Sequence, residues 1–163
     1  MFFCYHRARK ETMNKIISAG FIIKCKDGKF LLGKTGGGVD GACWTIFKGG
    51  QIDGESLIET AIRETKEESG IDIASDKRLT DNMSTIPIFS YSVKNKDVYV
   101  FYLHDVDGVL DNYELKCSSY YDDNKPEISE FCRFEVDEMS RVVFPSQLGL
   151  VKLLKNSKER QNV

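Results

Sequence analysis

Residues 49–71 constrain this chain most, because a glycine-rich loop passes directly into a helix with clear boundaries. Glycine favours tight turns, so the first part of the stretch is predicted to be a loop. Ser56 followed by Glu59 has the pattern of a capping box, and Gly70 suits the left-handed position that ends many helices. The sequence therefore predicts a helix over 56–69.

The predicted helix has two distinct faces. Its apolar stripe, which we expect to face the core, contains Ile58, Ala61, Ile62 and Thr65. Its acidic stripe contains Glu64, Glu67 and Glu68, because residues three and four apart share one side of a helix. Three neighbouring carboxylates repel one another unless water surrounds them or a cation binds between them. Mg²⁺ takes oxygen ligands and commonly brings phosphate with it. The pattern predicts a magnesium site, with a solvated acidic face as the alternative.

Across the whole stretch, the charged and glycine positions follow a fixed spacing, namely Gly49, Glu55, Arg63, Glu64, Glu67, Glu68 and Gly70. This pattern resembles the Nudix box, the signature of the MutT-like Nudix hydrolase superfamily. Thr65 stands where the family usually has an aliphatic residue, although its methyl group can still face the core. The match covers many fixed positions, so it is far more specific than a glycine-rich loop alone.

The rest of the chain predicts an α/β protein. Strands are predicted over 15–24, 29–32, 44–47, 83–92, 97–103 and 131–134, and a last helix opens at Pro145. The strand over 97–103 is apolar on both faces, as expected for a strand that is covered on two sides. This mixture, like the resemblance, predicts a Nudix-type α/β/α sandwich with a mixed β-sheet. We expect a single domain over 15–163, preceded by a loosely ordered leader over 1–14.

The last helix is also predicted to have an apolar face. We expect that face to contain Leu148, Val151, Leu153 and Leu154.

The resemblance implies a metal-dependent hydrolase that cleaves a nucleoside diphosphate linked to another moiety, X. It implies that Glu64 and Glu68 are the principal ligands of Mg²⁺ or Mn²⁺, and that Glu67 is a third ligand or the base that activates water. A backbone carbonyl at Lys48 or Gly49 would complete the coordination shell. The attacking water and the phosphate would both be activated by the bound ion.

Further catalytic residues are implied less directly. Arg63 would orient Glu64 or pair with Glu55, a task for which a bidentate guanidinium is better suited than lysine. Family members often take one more glutamate from a later loop, and Glu127 and Glu130 are the candidates because both precede a predicted strand. We prefer Glu130. The general base therefore stays open among Glu67, Glu127 and Glu130.

The segment before the box bears on the substrate. Residues 44–49 resemble the Trp-x-x-Pro-Lys-Gly entry of dinucleoside polyphosphate hydrolases, RNA 5′-pyrophosphohydrolases and diphosphoinositol phosphatases, with Phe47 in place of proline. The resemblance implies substrate contacts from Lys48 and Gly49. Phe47, Tyr120 and Tyr121 are candidates for stacking on a base, although a buried anchor is an equally good interpretation of Phe47.

Several substrates are therefore open. Dinucleoside polyphosphates or RNA 5′ ends, including cap-like ends, come first. ADP-ribose and related ADP compounds come second, because Pro87 lies where many ADP-ribose pyrophosphatases have a proline. Oxidised nucleoside triphosphates are a third option. A nucleotide-binding Nudix module without catalysis is the alternative of a different class, which the intact set of charged box residues disfavours.

Charge and cysteine content restrict partners and location. The formal net charge is −2, so charge gives no general attraction to nucleic acid or membranes. No apolar run approaches the roughly 18 residues of a membrane span. Five cysteines without a CxxC pair predict reduced thiols and a cytoplasmic protein. The expected partner is a small nucleotide, or an RNA 5′ end, and the sequence allows either a monomer or a homodimer.

Overall fold

The computed structural model describes residues 14–36 and 43–161, so all of the predicted leader except Asn14 lies outside the described residues. One mixed sheet forms the centre of this part of the chain. Its strands are β1 (Ile16–Lys24), β2 (Phe30–Thr35), β3 (Trp44–Thr45), β4 (Phe47–Gly50), β5 (Phe89–Val93), β6 (Lys96–His104) and β7 (Ile128–Phe134). The predicted mixed sheet is thus confirmed.

Strand β1 is the centre of the sheet. It pairs in parallel with β6 along its whole length and antiparallel with β2, in the order β3-β2-β1-β6-β5. Strand β4 pairs with the first half of β1, where Gly20 lies opposite Lys48 and Ser18 opposite Gly50. Strand β7 pairs with β2. The glycine-rich loop therefore leaves the sheet beside the start of β1.

The helix predicted within the box forms as expected. Helix α1 (Leu57–Ser69) begins with a capping box between Ser56 and Glu59. It ends at Gly70, whose φ of 81° lies in the left-handed region, where a residue without a Cβ is favoured. The other helices are α2 (Lys77–Thr80), α3 (Val136–Met139) and α4 (Leu148–Gln161). Short 3₁₀ turns occupy Ile73–Ser75, Val109–Asn112 and Pro145–Gln147.

Two apolar clusters cover the two faces of the sheet. The cluster beneath α1 includes Ala19, Phe21, Phe47, Ala61, Ile71, Phe101 and Leu103. The cluster beneath α3 and α4 includes Ile22, Leu32, Val98, Val100, Met139, Val151 and Leu154. Alternate residues of β6 enter opposite clusters, as the two-sided apolar pattern predicted. The predicted α/β/α sandwich is therefore confirmed.

Two element predictions need correction. The predicted strand over 83–92 begins only at Phe89, because residues 84–88 are irregular and contain Pro87, which cannot donate to a ladder. In α4 the buried stripe is Leu150, Val151 and Leu154, whereas Leu148 and Leu153 are 43% and 37% exposed. Residues 150, 151 and 154 share the inward side of this helix, because they lie one, three and four positions apart. The two exposed leucines lie on either side of this buried stripe.

Thr65 supplies a stability test. Its side chain is completely buried, and Oγ1 has no hydrogen-bond partner in the described part of the protein. An unsatisfied buried hydroxyl costs about 1–3 kcal/mol. We therefore expect Thr65→Val to raise the free energy of unfolding by about 1 kcal/mol, or the Tm by about 2–4 °C, in calorimetry.

Thr60 is the matched control on the same helix. It is equally buried, but its Oγ1 lies 2.9 Å from Glu55 Oε2 and 3.1 Å from the Ser56 carbonyl oxygen. Thr60→Val should therefore destabilise the protein. A Thr65→Val protein no more stable than wild type would contradict the role given to the unpaired hydroxyl.

Candidate active site

The loop after β4 and the start of α1 place the acidic stripe against the sheet. The backbone N–H of Lys48 donates to Glu68 Oε2 at 2.8 Å. Glu64 packs against Gly49 so closely that a Cβ at this position would collide with the carboxylate. A side chain at residue 49 would therefore displace the Glu64 carboxylate, and both glutamates of α1 lie against the end of β4.

Arg63 is the centre of the hydrogen-bond network. Its Nε donates to Glu55 Oε1 at 2.6 Å, and its Nη2 donates to the Gly50 carbonyl at 2.8 Å and to Glu55 Oε2 at 3.1 Å. Its Nη1 donates to Glu64 Oε1 at 2.7 Å and to Glu67 Oε2 at 3.1 Å. The sequence left open whether Arg63 orients Glu64 or pairs with Glu55, and in the structure it does both.

Burial governs the charge state of the site. Glu68 is only 7% exposed, and burial raises its pKa to about 8, although the charge and N–H of Lys48 oppose the change. Burial also raises the pKa of Glu64, against the effect of Arg63, and lowers the pKa of Lys48. A cation placed among these carboxylates would offset the cost of burying their charge.

Glu127, and not Glu130, lies near the box glutamates. The negative charge of Glu127 contributes to the raised pKa values of both Glu64 and Glu68, after burial itself. Glu130 Oε1 instead accepts a hydrogen bond from Lys34 Nζ at 2.8 Å, on an exposed part of β7. In the structure, the Glu130 that we preferred thus pairs with Lys34, whereas the charge of Glu127 acts on the box glutamates.

The segment that follows the 3₁₀ turn Val109–Asn112 positions Glu127. The Ser118 N–H donates to the Glu67 carbonyl at 2.7 Å, and the Glu127 N–H donates to the Ser119 carbonyl at 3.0 Å. Between them, Tyr121 is bonded back to Lys125, which closes a tight turn. The end of α1 therefore anchors the turn that carries Glu127.

The aromatic residues considered for stacking on a base lie in three different environments. Burial and the charges of Glu127 and Glu68 raise the pKa of the Tyr121 hydroxyl, so this ring lies near the carboxylates. Tyr120 is 56% exposed and forms a bridge with Pro126. Phe47 is completely buried, so it anchors β4 in the core and offers no surface for stacking on a base. The sequence pattern did not distinguish Tyr121 from Tyr120, because the two residues are adjacent in one turn.

The donor atoms of the cluster fit a hard divalent ion. Glu64, Glu67, Glu68 and Glu127 supply carboxylate oxygens, which suit Mg²⁺ or Mn²⁺. In residues 14–36 and 43–161, however, no three His, Cys, Asp or Glu side chains form a ready-made metal group. Arg63 Nη1 donates to one oxygen of Glu64 and one oxygen of Glu67, so it holds these two carboxylates side by side.

A family comparison decides the identity of the fold. The sequence model of the family described as NUDIX domain matches residues 14–155. The chain belongs to this family. It is a Nudix pyrophosphohydrolase that acts on nucleoside diphosphate derivatives. A search of curated proteins gave no match. None of the described helices of this Nudix protein is long and apolar enough to cross a membrane.

Solved structures share the fold of this Nudix protein. A MutT protein from Methanosarcina mazei is 20% identical, with 88% of this chain and 94% of that chain covered, at a TM-score of 0.62. A Caenorhabditis elegans Ap4A hydrolase is 24% identical, with 91% and 99% covered, at 0.59. A bifunctional NMN adenylyltransferase/ADP ribose pyrophosphatase from Francisella tularensis, solved with AMP and a Mn ion, is 13% identical, with 88% and 42% covered, at 0.65.

The raised pKa of Glu68 predicts a pH-dependent stability. Between the unfolded pKa of 4.5 and the folded pKa of about 8, the folded protein holds a proton that the unfolded chain releases. The stabilisation is thus complete below the unfolded pKa and is lost as the pH rises through the folded pKa. The slope cannot exceed about 1.4 kcal/mol per pH unit for one proton.

Urea unfolding in EDTA between about pH 5 and pH 8, the range that the two pKa values bracket, measures this effect. The free energy of unfolding should fall more steeply with pH in wild type than in Glu68→Gln, which cannot ionise at this position. The difference between the two proteins removes the contributions of the groups that do not interact with Glu68. Parallel pH profiles of the two proteins would show that Glu68 does not hold a proton in the folded state.

Proposed function

We propose that this Nudix hydrolase cleaves a pyrophosphate bond in a nucleoside diphosphate linked to X, with Mg²⁺ or Mn²⁺ bound by Glu64 and Glu68. The observation that carries the proposal is the convergence of these buried glutamates with Glu67 and Glu127 at the loop between β4 and α1. When bound, the ion would neutralise phosphate charge and lower the pKa of a water molecule.

The residues of the chain have separate roles in this proposal. Glu64 and Glu68 hold the cation, and Glu67 is a third ligand or accepts a proton from the attacking water. Arg63 fixes Glu64 and the Gly50 carbonyl, so it is a positioning residue. The backbone of residues 48–50 lies beside the carboxylates and would contact the phosphate chain.

Glu127 is proposed as the additional acid or base from the later turn. We expect Glu127→Gln to lower kcat by about 10²-fold, since general acid–base catalysis contributes about 10²–10⁴-fold. Glu130→Gln is the matched control, because it removes an acidic residue only three positions further along the chain, whose partner is Lys34. Steady-state rates of the two purified variants decide the assignment, and equal losses in both would contradict it.

For the substrate, we propose dinucleoside polyphosphates or RNA 5′ ends. The support is the similarity of residues 44–49 to the entry segment of enzymes for polyphosphate chains, and a basic neighbourhood. The charge of Lys96 is close enough to Lys48 to lower its pKa, after burial. Two lysines beside the box suit a chain of several phosphates. The shared fold with the nematode Ap4A hydrolase is compatible with this choice.

ADP-ribose is the weaker candidate. The support for ADP-ribose is Pro87. This proline lines a pocket together with Phe30 and Leu154, which belong to the apolar cluster on the opposite face of the sheet from α1. Pro87 is thus on the wrong face of the sheet to contact a phosphate chain held at the box.

A substrate screen tests both levels of the proposal. Phosphate-releasing assays with Ap4A, triphosphorylated RNA, ADP-ribose, NADH and 8-oxo-dGTP should be run with Mg²⁺, with Mn²⁺ and with EDTA. We expect the highest kcat/KM for Ap4A or the RNA 5′ end, and no turnover in EDTA. Preference for ADP-ribose or 8-oxo-dGTP would overturn the substrate assignment alone, whereas turnover in EDTA would overturn the metal-dependent mechanism.

A further inference from the structure

An apolar pocket lies on the α4 face of the sheet, away from the box. It has a volume of about 710 Å³ and is formed by the β1–β2 turn, residues 86–88, the start of α3 and the last turns of α4. Phe30, Val136 and Leu154 form its buried floor. Ile86 and Leu153 form its lip, and Ile86 is 73% exposed, which leaves much of its apolar surface in water. The pocket therefore favours an apolar occupant.

The charges at the rim of the pocket balance. Lys24 and Lys158 line it together with Asp27 and Glu135. Charge therefore selects neither an anion nor a cation. An uncharged occupant with a large apolar surface, such as an aromatic side chain, suits this lining.

The chain enters the sheet at the far end of the strand that leads to this pocket. The Ile16 N–H donates to the Asn95 carbonyl at 2.8 Å, and Lys15 Nζ donates to Asp97 Oδ1 at 3.0 Å. Asn95 lies in the turn between β5 and β6, and Asp97 follows that turn. Strand β5 begins directly after residues 86–88, which line the pocket. One end of β5 therefore lies beside the start of β1, and the other lies beside the pocket.

Strand β5 offers a route between these two points. It is the last strand in the order of the sheet, and among the described strands it pairs with β6 alone. Its outer backbone N–H and C=O groups can therefore pair with a further extended segment. From Val93 back to Ile86 the chain extends over at most about 25 Å, at roughly 3.3–3.6 Å per residue. A segment that starts beside Asn95 and follows this edge reaches the lip of the pocket.

The leader that precedes β1 has the composition and the length for this route. All of it except Asn14 lies outside the described residues, and it carries three aromatic residues close together, namely Phe2, Phe3 and Tyr5. Between these residues and Asn14 an extended chain spans about 30–40 Å. This span exceeds the length of the route along β5, so the aromatic residues can reach the pocket while the chain stays connected to β1.

We propose that the aromatic residues of the leader fill this pocket. The rings of Phe2 and Phe3 would lie on its buried floor, and the chain after them would follow the free edge of β5 to Asn14. The leader, expected from the sequence to be loosely ordered, would then be a docked part of the domain. This site is separate from the hydrolase site, and it does not depend on the substrate proposed above.

Cysteine cross-linking of the full chain tests the proposal. Cys4 lies within the aromatic segment, and Ile86→Cys places a second thiol at the lip of the pocket. Oxidation with copper–phenanthroline in dilute solution should join these two thiols within one molecule, as identified by peptide mass spectrometry. Docking raises the local concentration of the Cys4 thiol beside residue 86, so this disulfide should form at least about tenfold faster than in the control variant.

Ile52→Cys is the matched control. Ile52 is also exposed, and the N–H of its neighbour Gln51 donates to the Ile17 carbonyl at 2.9 Å, so residue 52 lies close to the start of β1. A leader that is not docked would therefore reach residue 52 at least as readily as residue 86. In urea the advantage of Ile86→Cys should disappear.

Further variants locate the contact. Phe2→Ser combined with Phe3→Ser should reduce the cross-linking rate of Ile86→Cys to that of Ile52→Cys. In the chain without added cysteines, the same pair should lower the Tm by about 3–6 °C, since two buried rings are lost. Leu153→Trp obstructs the pocket and should slow the cross-link likewise, whereas Arg7→Gln in the leader should leave it unchanged.

Three results would overturn the proposal. They are equal cross-linking rates of Ile86→Cys and Ile52→Cys, no effect of the two phenylalanine substitutions, and a disulfide that joins two molecules and increases with protein concentration. The last result would assign the pocket to the leader of a second copy. Circular dichroism establishes that each variant is folded, and if Leu153→Trp fails to fold, Ser157→Trp obstructs the same pocket from the next turn of α4.

Discussion

Glu68→Gln should lower turnover by about 10³-fold while the protein stays folded. The amide oxygen can still accept the hydrogen bond from the Lys48 N–H, which now reaches Glu68 Oε2 at 2.8 Å. The variant loses only the negative charge available to a cation. Metal ions contribute several kcal/mol of transition-state stabilisation, and each 1.4 kcal/mol or so is a factor of ten in rate.

Initial rates over a Mg²⁺ titration measure this effect. We expect the variant to need far more Mg²⁺ for half-maximal activity, and its Tm to equal or exceed that of wild type, because burial disfavours the charge that is removed. Glu59→Gln is the matched control on the same helix. Glu59 serves the capping box with Ser56, a role that glutamine can fill, so its activity should stay within about twofold of wild type. Near-wild-type turnover of folded Glu68→Gln would remove Glu68 from the metal site.

The box could be predicted because its signals are local. Ser56, Glu59 and Gly70 determine the ends of α1 within a few residues of themselves, and the acidic stripe follows from helical periodicity alone. The choice of face for Thr65 was predictable for the same reason. Its unpaired hydroxyl was not, because a missing partner depends on neighbours from other strands.

The contribution of the later loop could not be predicted because it depends on tertiary packing. Glu127 and Glu130 are only three residues apart. Glu127 directly precedes β7, and Glu130 lies within it. Pairing of β7 with β2 directs Glu130 to Lys34, whereas the turn anchored on Glu67 brings Glu127 toward the cluster. Pro87 is a comparable case, since the distance of a proline from the box along the chain does not specify which face of the sheet it reaches.

Phe47 had two possible interpretations in the sequence, and its position in the sheet decides between them. In the strand pattern it was compatible with either a stacking surface or an anchor. Pairing of β4 with β1 places Phe47 opposite Phe21 and directs its ring toward α1, where it packs near Phe131 with ring centroids 6.1 Å apart. The substrate contacts proposed for this segment are therefore restricted to Lys48 and the glycine backbone.

Arg63→Lys should cost about 2 kcal/mol of stability, which corresponds to a fall in Tm of about 4–8 °C. The guanidinium makes five hydrogen bonds, to the carboxylates of Glu55, Glu64 and Glu67 and to the Gly50 carbonyl. A lysine ammonium has three donors on one nitrogen and cannot reach both sides of this arrangement. Because Glu64 is buried, loss of its partner is costly, and we also expect kcat to fall at least about tenfold through loss of its orientation.

Arg78→Lys is the control for that experiment. Arg78 is also bidentate, with Nε at 3.1 Å and Nη2 at 2.7 Å from Asp76, but its side chain is 60% exposed. Exposed ion pairs contribute little to stability, so Arg78→Lys should change stability far less than Arg63→Lys and leave kcat unaltered. Urea unfolding and steady-state kinetics of both variants separate the two sites. Equal stability losses would mean that the fork of Arg63 is no more than a surface ion pair, and the rigid attachment of Glu64 to the loop would have to come from its packing on Gly49.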